Sequence, residues 1–73
     1  MADFEATIAD VRQVLVLEPR HFAALAGLGQ TFFRIGDNRR ALDAVNASLA
    51  INPFQPGTRD FKEELERTLN RNI

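Results

Sequence analysis

Leu25–Pro53, LAGLGQTFFRIGDNRRALDAVNASLAINP, divides at Gly36-Asp37 into two apolar-periodic halves. In the first half Leu25, Leu28, Phe32 and Ile35 recur at steps of three and four, the spacing that lines one face of an α-helix. Gly36 then provides a left-handed stop, and Asp37 is suited to cap the second half. That half, from about Asn38 to Ile51, turns Ala41, Leu42, Val45, Ser48, Leu49 and Ile51 to one side. Asn52-Pro53 closes it. A proline ends the preceding segment too, at Pro19, 34 residues upstream.

Before Pro19, the residues Phe4, Ile8, Val11 and Leu15 define an earlier amphipathic helix over about 3–18, with Val14 and Leu17 widening its stripe and Asp3 as its N-cap. Pro19 disfavours helical geometry at Glu18 and ends it. The next helix is expected over Arg20–Ile35. Its interior glycines, Gly27 and Gly29, each cost about 1 kcal/mol relative to alanine, so close approach of a neighbouring helix is the expected reason for them, helped by Ala24. Beyond Pro53, Phe54-Gln55-Pro56-Gly57 reads as a turn, with Pro56 suited to the first position of a fourth helix reaching about Asn70. That helix has a single narrow stripe, Phe61, Leu65 and Leu69. The rest is charged or polar, and Glu63 and Arg67 are spaced for an ion pair. It has the composition of a cap.

The expectation is an all-α fold of about four helices, joined by short connectors into antiparallel neighbours. No alternating run or hairpin dipeptide signals a strand. A chain of 73 residues makes one domain at most and buries roughly 60% of the surface its unfolded form exposes, so its stability is marginal. It has no cysteine, and hence no disulfide or thiolate site to reinforce it.

The charge balance excludes several classes of function. Nine basic residues stand against ten acidic ones for a net charge of −1, which offers no electrostatic reason to bind nucleic acid or an anionic membrane. No apolar run has the length of a membrane span and the first residues lack a signal peptide's regions, so a cytoplasmic location is the default expectation. With one histidine, no cysteine and no carboxylate pair that reads as buried, there is little from which to assemble a catalytic site, and no enzyme or cofactor is expected. His21, at a helix start, reads as a surface or capping residue. Gly27-Leu28-Gly29 hints at a dinucleotide fingerprint, but no strand precedes it and Phe32 replaces the third glycine. Asp60, Glu63, Glu64 and Glu66 are spread round a helix surface, so no metal site is expected. A helix-turn-helix DNA binder is invited by Arg39 and Arg40 after Gly36, but bulky Phe32 stands where such motifs need a small residue, and the charge is wrong.

The spaced pattern resembles the tetratricopeptide repeat, whose signature runs W-x2-L-G-x2-Y, then A-x3-F, then a closing proline. Here it is Leu25-x2-Leu28-Gly29-x2-Phe32, then Ala41-x3-Val45, then Pro53, with Ser48 where the family has a small alanine. Leu28, Gly29, Ala41 and Pro53 match outright. Backwards, Thr7-x3-Val11 and Pro19 look like the second half of a preceding repeat; forwards, Arg59, Lys62, Glu63 and Glu66 are charged where the family is apolar or glycine. The resemblance therefore covers one full repeat over 20–53, half a repeat over 3–18 and a capping helix over 56–70.

The resemblance implies a TPR-like, right-handed α-solenoid fragment that binds a peptide or protein segment in a groove lined by the first helix of each repeat. In this chain that face carries Ala23, Gly27, Gln30 and Arg34, flanked by Ala26 and Phe33. Alanines would form a shallow floor, Gln30 and Arg34 could bond a backbone or carboxylate, and Phe33 could anchor an apolar side chain. The competing reading is that this face merely packs on the fourth helix, or against nothing. Members that clamp the carboxylate tails of chaperones use lysine and asparagine here, and Ala26 and Gln30 lack that charge. Because repeats bury their apolar faces only by stacking, the unpaired first helix also suggests either a larger repeat protein or a homo-oligomer formed through that helix.

Leu28→Asp puts an unpaired charge into the expected inter-helix seam and should abolish cooperative unfolding. A thermal melt close to wild type would refute the register.

Overall fold

The computed structural model describes residues 4–71, which form four α-helices: α1 Phe4–Leu17, α2 Phe22–Arg34, α3 Asn38–Ile51 and α4 Pro56–Arg71. Each packs on the next in sequence, α1 on α2, α2 on α3 and α3 on α4. The principal extents are 35 × 32 × 17 Å. The shortest is close to the thickness of two helix layers, whose axes pack about 8–10 Å apart. The described residues contain no strand.

Local chemistry sets the helix ends. The amide of Glu18 still reaches the Val14 carbonyl at 2.8 Å, but Pro19 has no N–H to continue the ladder. Pro19 and Arg20 form a turn, and α2 starts at Phe22 rather than Arg20 because His21 is its N-cap, Nδ1 accepting from the Ala24 amide at 3.1 Å. At the far end Gly36 adopts φ +85°, its amide donating to Phe33 O at 3.1 Å and that of Asp37 to Phe32 O at 2.9 Å. These two bonds make a Schellman closure, which needs a left-handed residue at its centre. Asp37 at once caps α3, accepting from the Arg40 amide at 3.1 Å. At the end of α3, Asn52 is extended (φ −135°, ψ 99°), as a residue before proline is driven to be. Pro56 takes the first position of α4. The expected Asp3 cap lies outside the described residues, as does the Phe4 side chain.

The core consists of Leu28, Phe32, Ala41, Ala44, Val45 and Leu65, with Ile8, Val11, Leu15, Leu42, Leu49 and Phe61 packed around it. Several side chains depart from expectation. Val14 and Leu17 are 39% and 76% exposed, because they sit about 100° and 200° round α1 from Leu15 and so leave the stripe that meets α2. Ile35 is 45% exposed, since as C-cap it has already left the helix. Ala44, buried at 7%, joins the inner face of α3 although it is absent from the expected set. On α4 the ion pair is Arg67 with Glu64 at 2.9 Å, one residue nearer than the expected Glu63. Both spacings suit a helix, and at this exposure such a pair contributes little.

Ser48 is completely buried and ties three helices together. Its Oγ donates to the Phe22 carbonyl at 2.7 Å, joining α3 to the start of α2. The Gln55 amide nitrogen, just before α4, donates to Ser48 O at 3.1 Å and Asn52 O at 2.7 Å, while Thr58 Oγ1 donates to Gln55 Oε1 at 3.2 Å.

The two α2 glycines part company. A Cβ on Gly29 would lie 2.7 Å from Val45 Cγ2 and 3.2 Å from the Ala41 carbonyl, so this glycine does mark a close helix–helix approach. A Cβ on Gly27 would meet nothing within 4 Å outside its own helix backbone, and the packing reason expected for this glycine is absent among the described residues. Gly29→Ala should therefore destabilise by about 1–3 kcal/mol through overpacking. Gly27→Ala should stabilise by up to about 1 kcal/mol through helix propensity alone. Urea unfolding of both variants checks the pair, and equal effects of the same sign would contradict the α2–α3 geometry.

Candidate functional site

The exposed arc of α2 is set by its buried one. Leu28 and Phe32 point into the core and Gly29 turns to α3, so positions about 180° from Leu28 must face outward. Ala23, Gln30 and Arg34 are exposed there, and Ala26 and Gly27 are half-buried. Phe33 remains 44% exposed, and its ring meets Phe61 of α4 edge-on, centroids 5.3 Å apart and planes at 90°. Such an arrangement pairs the positive edge of one ring with the negative face of the other. The face is thus a lane of small residues. Phe33 bounds it on the α4 side, and Gln30 and Arg34 offer donors that no ion pair among the described residues engages. Contact with α4 is made by Phe33 and leaves Ala23, Gln30 and Arg34 open.

A second surface feature is not foreseen from the sequence. A groove of about 560 Å³ runs beside α1, floored by Ile8, Val16, Phe32 and Ile35 and bordered by Glu5 and Arg12. Arg40 borders it too, its guanidinium 3.4 Å from Asp37 and 5.9 Å from the centre of the Phe32 ring. Val16 lies outside the core stripe of α1, so periodicity alone gives it no role, and Ile35 reaches the groove only through the cap that ends α2. The signal that could have found it is the recurrence of Glu5, Arg12 and Val16 on one flank of α1. Elsewhere, Phe54 is 87% exposed in the α3–α4 turn, beside a cavity of about 450 Å³.

These surfaces offer shape and hydrogen bonding. His21 is used as a helix cap, and among the described residues no group of three or more histidine, aspartate or glutamate side chains is placed to hold a metal ion. Among the same residues no helix is long and apolar enough to cross a membrane.

No family model matches the chain, and no solved structure does. Among curated proteins it is similar to a TPR repeat-containing protein of the bacterium Rhizobium etli, 34% identical over 53 residues. The match takes in 73% of this chain but spans about a quarter (26%) of that relative's length. The spaced pattern from Leu25 to Pro53, the antiparallel helices that realise it and the likeness to this relative agree: the chain resembles the tetratricopeptide-repeat family and has a TPR-like helical-repeat fold.

Proposed function

We propose that the chain is a non-enzymatic protein-interaction module in which 20–53 is one complete repeat, 3–18 the second half of a preceding repeat and 56–70 a solvating cap. It takes an extended peptide or protein segment along the outer face of α2, over Ala23, Ala26, Gln30, Phe33 and Arg34. The observation that carries this reading is the composition of that arc. Exposed Ala23 and half-buried Ala26 let a main chain approach closely, while Gln30 and Arg34 supply uncommitted donors for carbonyl or carboxylate groups. Phe33 is an aromatic anchor whose ring is steadied by Phe61, so little of its freedom remains to be lost on binding. The printed name of the Rhizobium etli relative supports a repeat protein in general. A small structural module that works chiefly by self-association is the alternative.

Replacing Gln30 and Phe33 with alanine and Arg34 with glutamate in one variant should leave the far-UV circular dichroism unchanged and reduce capture of a bound segment by on the order of tenfold or more. Capture at the wild-type level would move the site to another surface, the Phe54–Gly57 turn first. Nucleic acid is not expected as a partner, so the chain should pass a heparin column without salt-dependent retention. Retention that falls steeply with salt would revive the helix-turn-helix reading.

A further inference from the structure

We infer that the groove beside α1 is a self-complementary surface, through which two copies of this chain pair with their α1 helices antiparallel. This face is distinct from the α2 lane, and the pairing does not depend on the function proposed for that lane.

Two observations carry it. The first is chemical. Glu5 and Arg12 are seven residues apart on α1, about two turns or roughly 10 Å along the axis, and so share one flank of the helix. A two-fold axis perpendicular to α1, midway between them, lays Glu5 of each copy opposite Arg12 of the other. A single chain thus supplies both halves of two symmetric ion pairs, which is the requirement for an isologous interface. Neither side chain is committed to an ion pair within the chain among the described residues, where the pairs formed are Asp37–Arg40 and Glu64–Arg67.

The second is apolar. Ile8, half-buried, lies between these charges, while Val16, 76% exposed, is one turn beyond Arg12 and Ile35, 45% exposed, lines the same groove from the end of α2. Its polar border and apolar floor have the distribution of a protein interface.

The test is sedimentation equilibrium of the wild-type chain and of Arg12→Glu, Glu5→Arg and the double exchange, up to millimolar concentration. The wild type should rise from 8.2 kDa towards twice that mass. Each single exchange places like charges opposite one another and should weaken the dimer by on the order of tenfold, and the double exchange should restore it. Added salt should weaken the wild type and the double variant alike. Circular dichroism reports whether the single variants stay helical; if one does not, Arg12→Gln and Glu5→Gln carry the same comparison. A wild type that stays monomeric throughout overturns the inference and leaves the groove to a different occupant. A dimer indifferent to both single exchanges, or one that the double exchange fails to restore, overturns the antiparallel α1 pairing.

Discussion

The molecule depends on one close approach, the seat of Val45 in the space that a Cβ at Gly29 would occupy. A glycine in the middle of a helix is a loss of local stability, and here it is offset by the depth to which α3 sinks against α2. The residues α3 presents at that seam are correspondingly small: Ala41, Ala44, Val45 and Ser48, all buried. Large buried side chains come from the flanks instead, Leu28 and Phe32 from α2 and Leu65 from α4. A seam built from small residues holds two helices at short range with little apolar volume. That is why the whole domain is only 17 Å thick in its shortest dimension.

The polar junction at Ser48 complements that seam. A buried hydroxyl without a partner would be destabilising, and Ser48 Oγ instead takes up the carbonyl of Phe22 in the first turn of α2. Gln55 reaches back from the last residue before α4 to the carbonyls of Ser48 and Asn52 near the end of α3. Ser48 O, which already accepts from the Asn52 amide at 3.0 Å, gains a second donor, and Asn52 O, beyond the helix, gains one, so the short connector to α4 is held by side-chain bonds. Among the described residues no buried side-chain nitrogen or oxygen is left without a partner.

Much of this is legible in the chain, and the exceptions have physical causes. Helix number and order come from periods of three and four, and the stops come from residues whose backbone preferences are strong: Pro19, Gly36, Asp37 and Pro53. The sequence puts the α2 start two residues early because proline marks the end of a helix more firmly than it marks the next beginning, and the cap is His21, a residue outside the usual capping set. Gly27 and Gly29 are indistinguishable as letters, and only the placement of α3 separates the one that is needed from the one that is not. Glu63 and Glu64 differ as partners for Arg67 by a rotamer, which no pattern encodes. The outer α2 lane can be read because it is the complement of a buried stripe on one helix. The groove beside α1 is legible only in its α1 flank, Glu5, Arg12 and Val16, since Phe32 and Ile35 reach it from a different helix and its cap.

The helices are therefore held unequally. α2 is gripped from two sides, by α1 and by α3, and α3 likewise lies between α2 and α4. α1 is held by one stripe, Ile8, Val11 and Leu15, all only partly buried, and contributes none of the fully buried core side chains. Among the described residues α1 and α4 each pack chiefly on one helix, and an element with few packed neighbours has low local stability. α4 meets the same condition differently. Its narrow stripe of Phe61, Leu65 and Leu69 is matched by a strongly polar remainder, so little apolar surface is left for water. The remainder of α1 is mixed: Glu5, Asp10, Arg12 and Gln13 are exposed, and so are Val14, Val16 and Leu17 along its last turns. Of the two outer helices described, α4 is polar all round its narrow stripe, and α1 keeps an apolar edge exposed beside its own.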